Sequence, residues 1–495
     1  MNTKTALLAL IVAIAAAAGA WFVLRPTPAP PPPATTWLKG LDVQRVASLS
    51  AKWSGGQTAT IERCEVPGVW LLRTGNAAKT EPAWPVAINQ VRGVVRLLSE
   101  IDALPAADGQ APASGTTVTI RMKDGAEHTL TLSETALGGK VLVAIRGTPD
   151  TLRLADARLV SIFQDGLRAW RQPGVLIADA GDAENPGEVS RIRLQTQGRQ
   201  LTLGQTLGRW NIQQPLVAPA ASNACNQLVQ HLSALPIQRV ISESLSDNAS
   251  GLASPTAMID TESDFRVPIG PEVVRRVLKQ KVTVGGPSDT TGDKLYALAQ
   301  AEWQDPATGK GTPAWGPLLI VLNRSDLNTL TAAVEPYLPK TSLGVPGADV
   351  SGLTLAADDH PMDTAPAKSP KDAARSVHLV RTVDGWRYKS GEDKLRPPTD
   401  EGLARIEATI KLLCDEPADA VGTEPPAQTQ PLATIWVAPV SGPEQPLGFG
   451  VASVTPPGKP AQPAVVVRNG NVYRVYIGKA ADVARWIAEE LPPEG

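Results

Sequence analysis

Period-two alternation of apolar and polar residues dominates the chain, as in "SRIRLQT", "TVTIRMKDGAEHTLTL" and "RSVHLVRT", and predicts strands with one buried face. These runs are interrupted by stretches whose apolar residues recur every three or four positions, which predicts helices with one apolar face. One set of faces is Ile88, Val91, Val95, Leu98 and Ile101; Cys225, Leu228, Val229, Leu232 and Leu235; and Leu403, Ile406, Ile410 and Leu413. Asn89, Asn223 and Asp400 stand near the starts of these helices as N-caps. A second set is Leu159, Ile162, Phe163, Leu167 and Trp170; Leu327, Leu330, Val334, Tyr337 and Leu338; and Val483, Trp486, Ile487 and Leu491.

The pattern repeats. A Gly–Trp phrase occurs as "GVWLLRT", "GRWNIQQ" and "DGWRYKSG", and each is followed by a helix ending in similar words: "LLSEIDALP", "LVQHLSALP" and the looser "IKLLCDEP". Self-similarity at this spacing predicts tandem copies of one supersecondary unit. The unit reads as antiparallel strands, Trp, helix, strands, helix, so the expected fold class is α+β, with an N-terminal transmembrane helix followed by three tandem modules. The modules are placed at 42–172, 188–340 and 375–492, with 341–374 as a flexible linker rich in Pro, Ala and Asp. In each, the Gly makes a turn and Trp70, Trp210 or Trp386 packs under the following helix.

Ahead of the modules, "ALLALIVAIAAAAGAWFVL" runs from Ala6 to Leu24 without a charge. Nineteen residues in a helix span roughly 28 Å, enough for one crossing of a bilayer. Residues 1–25 are therefore read as a membrane anchor, with a cleaved signal peptide as the rival because Ala18-Gly19-Ala20 has the form of a cleavage site. No cysteine lies nearby, which argues against a lipid-modified N-terminus. Residues 26–41, including "PTPAPPPPATT", form an extended proline-rich stalk. Lys4 and the free amine against Arg25 orient the segment weakly, with the C-terminal bulk outside the cytoplasm. The expected location is the inner membrane with that bulk in the periplasm.

Composition narrows the function classes. The 47 Lys and Arg against 49 Asp and Glu give a net charge of −2, so no overall field favours nucleic acid, and none is expected as a partner. Three widely separated cysteines, Cys64, Cys225 and Cys414, make no disulfide framework, and four scattered histidines show no zinc spacing. "GGPSDTTGDK" from Gly285 and "ATGKGT" ending at Thr312 lack the phosphate-loop spacing. Asp358, Asp359, His360 and Asp363 carry ligand-type side chains in a linker, where a solvated run is the favoured reading. No nucleophile elbow accompanies His128, His231 or His378, and Cys225 on an apolar helix face reads as a small buried hydrophobe. Repetition of the three Trp residues at one place in each unit favours core packing over a stacking surface. No catalytic, cofactor-binding or metal-binding residues, and no cofactors, are assigned.

The arrangement resembles domain-of-unknown-function family 4340, a family of bacterial envelope proteins with one N-terminal membrane helix. The likeness rests on "MNTKTALLALIVAIAAAAGAW", the strand pair leading to "GVW" or "GRW", "LLSEIDALP", and the "VTIRMKDG" hairpin followed by "LRLADARLVSIFQDGLRAWR". The resemblance implies an accessory role beside ABC-type transporter components similar to those of gliding-motility systems, and it carries no catalytic residues over. The functional expectation is a membrane-anchored, envelope-facing, non-enzymatic scaffold or protein-binding subunit whose partners are other envelope or membrane proteins. The alternatives are an accessory subunit of an ABC-type transporter complex and an envelope enzyme with a site between modules.

Overall fold

The structure is a computed structural model that describes residues 41–64, 69–76, 79–80, 83–86, 88–100, 104–105, 114–145, 151–164, 174–176, 187–196, 198–241, 245–269, 272–357, 376–390 and 394–490. Its strands fall into three antiparallel sheets. The first repeat contains β1 (Val46–Lys52), β2 (Thr58–Arg63), β3 (Trp70–Asn76), β4 (Lys79–Thr80), β5 (Trp84–Val86), α1 (Ile88–Glu100), β6 (Leu104–Pro105), β7 (Gly115–Met122), β8 (Glu127–Leu137), β9 (Lys140–Ile145), β10 (Thr151–Asp156) and α2 (Arg158–Gln164).

The second comprises β11 (Glu188–Thr196), β12 (Arg199–Thr206), β13 (Arg209–Gln214), β14 (Ala218–Pro219), α3 (Ser222–Ala234), β15 (Arg239–Val240), α4 (Asp247–Ser250), β16 (Ala257–Ile269), β17 (Glu272–Pro287), β18 (Lys294–Gln304), β19 (Gly311–Asn323) and α5 (Arg324–Asn328). In the third are β20 (Val350–Ala357), β21 (Ser376–Thr382), β22 (Gly385–Ser390), β23 (Lys394–Arg396), α6 (Asp400–Cys414), β24 (Ala420–Gly422), β25 (Gln430–Pro439), β26 (Gln445–Val454), β27 (Gln462–Asn469), β28 (Val472–Ile477) and α7 (Ala480–Glu490).

One topology serves all three. The strand orders are β4-β3-β2-β1-β7-β8-β9-β10-β6, with β5 also on β3; β14-β13-β12-β11-β16-β17-β18-β19-β15; and β23-β22-β21-β20-β25-β26-β27-β28-β24. Each sheet is two meanders joined along their first strands. The helix after the fourth strand position carries the chain to the far edge, where a short strand pairs with the last long one before the chain returns to the centre.

The repeat extends to irregularities. The first strand breaks register between Val46 and Ser48, between Val189 and Arg191, and between Val350 and Gly352, one extra residue at the same place each time. In the last two repeats that residue is a serine: Ser190 Oγ donates to Glu262 O at 3.4 Å and Ser351 Oγ to Ala438 O at 3.0 Å. Trp70, Trp210 and Trp386 occupy the third strand of their sheets and are buried. Trp210 Nε1 donates to Asn226 Oδ1 of α3 at 3.1 Å, which ties sheet to helix.

The chain divides into two compact units, one of Met1–Glu62, Leu72–Thr80 and Val86–Trp170, the other of Arg63–Leu71, Glu81–Pro85 and Arg171–Gly495. The second and third repeats therefore share a unit. Within it the connection between them is fixed by Ser342 Oγ and Tyr476 OH at 2.8 Å, Asn469 Nδ2 to Ser342 O at 2.9 Å, and Arg474 Nε to Pro339 O at 2.9 Å.

Several expectations require correction. The expected α+β class is overturned: strands hold 52% and helices 18% of the described residues, so the architecture is dominated by antiparallel sheet. The second helix of the middle repeat is a five-residue α5 followed by a separate 3-10 turn at Glu335–Tyr337. Thr329, Thr331 and Val334 are β-branched, and Pro336 lacks an N–H and disfavours helical geometry in the residue before it, so the periodic Leu330, Val334, Tyr337 and Leu338 are buried without a continuous helix.

The stretch 341–374 contains β20, the strand on which the third sheet is centred, together with a 3-10 turn at Gly347–Asp349. Thr399, one residue before Asp400, caps α6 by accepting from Gly402 N at 3.1 Å. No helix among the described residues is long and apolar enough to cross a membrane, and Ala6–Leu24 lies outside those residues.

Candidate functional site

Alternation along four neighbouring strands places charged side chains in rows on the face of the second sheet opposite its helices. Cross-strand register aligns Arg193, Asp260, Lys281 and Gln300 in one row. Two residues along, it aligns Arg191, Glu262, Lys279 and Glu302. Each carboxylate in the middle of a row thus stands between two cations. Arg191 Nη1 and Lys279 Nζ approach Glu262 Oε1 at 3.7 and 3.8 Å, with all three side chains between 30% and 47% exposed. At that exposure each pair stabilises the fold by no more than about 1 kcal/mol, so the charges remain available for exchange with another molecule.

The rows border a cleft of about 420 Å³. One end is closed by Trp315, Gly316 and Pro317 where β19 breaks register with β18. Gly316 has φ +79°, and a Cβ there would lie 2.6 Å from Ala299 O, so only glycine permits this approach. Burial lifts the Asp260 carboxyl above its ordinary pKa, against the opposing pull of Lys281 and Arg193. Arg193 Nη2 is itself held by Gln200 Oε1 at 3.2 Å. Behind the rows, the other faces of β16 and β17 bury Thr261, Ser263 and Gln280, with Gln280 Nε2 3.5 Å from Thr261 Oγ1.

The groups presented are carboxylate, ammonium, guanidinium and amide, which suit polar docking to a charged partner through paired hydrogen bonds. The cleft was not assigned from sequence, although its signal is visible in "SRIRL", "MIDTES", "LKQKV" and "AQAEW", each with polar residues two apart.

The residues weighed from sequence lie elsewhere. Gly285–Lys294 forms the end of β17 and the turn into β18, and Ala307–Thr312 the turn and start of β19. His128 and His231 are exposed. His378 on β21 has Nδ1 3.0 Å from Thr354 Oγ1 and Nε2 3.3 Å from Ser376 Oγ. Cys225 is on the buried face of α3, and desolvation pushes its thiol up to about 12. Asp358, Asp359, His360 and Asp363, and Ile101, Leu167, Trp170 and Leu491 of the helix faces, lie outside the described residues. Among those that are described, no three His, Cys, Asp or Glu side chains converge to hold a metal ion.

No family model matches the chain, and no curated protein matches it. The resemblance to family 4340 is accordingly carried by the quoted phrases alone.

Proposed function

We propose that this chain is a membrane-anchored, envelope-facing scaffold or protein-binding subunit without enzymatic activity of its own, and that the charged face of the second sheet is the surface it offers. The observation that carries this reading is the pair of cross-strand rows, in which Asp260 and Glu262 each stand between two cations around an open cleft. Partly exposed ion pairs lose little when they exchange one partner for another, and a protein surface with complementary alternating charge gains from each exchange. The charge-free run from Ala6 to Leu24 supports the anchor, and the proline-rich residues after it support a separation between bilayer and sheets.

A photo-crosslinking amino acid at Gln300 of the full chain, irradiated in native membranes, tests the reading. The expected result is a discrete crosslinked protein that disappears when Lys279→Glu and Lys281→Glu are introduced together. Absence of any crosslinked protein, or a crosslink indifferent to that charge reversal, would sink the assignment of this face.

A further inference from the structure

The charged rows on the outer face of the second sheet are also columns along its strands. β11 carries the cations Arg191 and Arg193, and β16 the anions Asp260 and Glu262. β17 carries the cations Lys279 and Lys281, and β18 the amide Gln300 and the anion Glu302. Reversed, this order of columns sets each charge against its opposite or against an amide. A twofold axis parallel to the strands, between two facing copies and midway between β16 and β17, performs that reversal. An axis across the strands would instead lay every column on itself, like charge on like.

Under the first axis Asp260 meets Lys281 of the second copy and Glu262 meets Lys279, each pair occurring twice as a twofold contact requires. Arg193 meets Gln300 and Arg191 meets Glu302. The next row along carries no charge: register aligns Gln195, Met258, Thr283, Leu298 and Leu319. Their neighbours Ile259, Val282, Ala297 and Leu318 are buried in the core, so this row stands on the outer face, where it is partly exposed. The same axis lays it on its own copy, Met258 against Thr283 and Gln195 against Leu298. Uncharged contact bordered by ion pairs is the make-up of a protein interface, apolar at its centre and polar at its rim. Pro313, beyond β18, comes over β12 at Gly204, which lies low beneath the flexible amide of Gln213.

The fold does not demand these charges. Counted from the shared bulge, the row of Arg193, Asp260 and Lys281 corresponds to Ser50, Thr119 and Thr129 in the first sheet and to Thr354, Trp436 and Pro446 in the third. Neither of those rows carries a charge.

We infer that a second copy of this chain occupies the charged face, the two sheets packing about 10 Å apart with strands aligned to within the roughly 30° that sheet twist imposes. The cleft of about 420 Å³ is the space that the second copy's side chains enter. The inference rests on the reading of this face as a protein-docking surface and names its partner.

Two variants of the full chain in nonionic detergent test it. Asp260→Lys with Glu262→Lys makes three adjacent columns cationic, and Lys279→Glu with Lys281→Glu leaves three adjacent columns without a cation. Association is read by energy transfer between donor- and acceptor-labelled copies. The unaltered chain should self-associate, each variant alone should do so at least about tenfold more weakly, and an equal mixture of the two should recover to within about threefold. Recovery in the mixture also shows that both variants fold. Orientation is read separately, in a Cys64→Ser background, with Gln195→Cys on one copy and Leu298→Cys on another. These positions face each other, whereas Gln195 of the two copies lie roughly 14 Å apart sideways, three strand spacings. A short bis-maleimide should therefore join the mixed pair at least about threefold more than either chain alone.

A monomeric unaltered chain overturns the second copy, as does association indifferent to both charge reversals. Equal crosslinking of mixed and single chains overturns the axis whether or not the charge variants fold. A monomeric chain whose Gln300 still crosslinks another protein, in a manner lost with Lys279→Glu and Lys281→Glu, overturns the second copy and leaves the docking surface standing. Absence of both overturns both readings.

Discussion

Leu207 occupies the turn between β12 and β13 with φ +51°, followed by Gly208 at φ +74°. A two-residue hairpin loop with both φ values positive is a type I′ turn, whose first position favours Asn and whose second favours Gly. Leucine in the left-handed region carries a steric cost of about 1 kcal/mol that asparagine largely avoids. At 98% exposure its side chain offers no burial to offset that cost. Leu207→Asn is therefore expected to stabilise the hairpin by about 0.5 to 1 kcal/mol. The third repeat supplies an internal control: Val383, fully exposed in the corresponding turn, is not among the residues with positive φ, so Val383→Asn should change little. Hydrogen exchange of β12 and β13 amides reads the effect directly, with opening expected to slow by roughly two- to fivefold at about 1.4 kcal/mol per tenfold. Unchanged or faster exchange in Leu207→Asn would refute the strain argument and show that the leucine side chain makes a stabilising contact.

Trp210→Ala is expected to cost about 3 to 5 kcal/mol, while Trp210→Phe should cost about 1 kcal/mol by removing the donor to Asn226 Oδ1, a difference readable by urea denaturation. In the native chain at pH 8, Cys225 and Cys414 should resist alkylation and Cys64 should react first, as mass spectrometry of labelled peptides would show. Desolvation raises Cys225 to about 12 and Cys414 to about 11, so their contribution to stability is intact below about pH 9 and is lost as pH rises through those values; a denaturation midpoint that climbs with pH there would contradict it. Arg474 is buried, donates Nε to Pro339 O, and finds no acceptor for Nη1 among the described residues. Burial draws its pKa down to about 10, so in Arg474→Met the relief of the desolvated charge should offset much of the lost bond to Pro339 O below that pH, and a loss of more than about 3 kcal/mol in thermal or urea unfolding would refute this account.

Local physics made much of the fold legible. The Gly–Trp phrases identify equivalent third strands because Trp70, Trp210 and Trp386 are each buried there, Trp210 against α3. The three- and four-residue spacing of Cys225, Leu228 and Leu232 marks the buried face of α3 because helical geometry alone brings them together. Where context overrides local pattern, the sequence misleads. Val350–Ala357 lies in composition typical of linkers, yet it is the central strand of its sheet, recognisable only when its bulge is laid over those at Val189 and Val46. The periodic residues from Leu327 to Leu338 promise a helix that β-branching and Pro336 break, and burial satisfies them without one.

The charged cleft shows where the boundary falls. Alternation in three separate strands determined that Arg191, Arg193, Asp260, Glu262, Lys279 and Lys281 would leave the core, because side chains on a strand change face at every residue. Only tertiary pairing decided that they would align as two rows of alternating sign, because a slip of one residue between strands turns every side chain to the other face and a slip of two exchanges its neighbours.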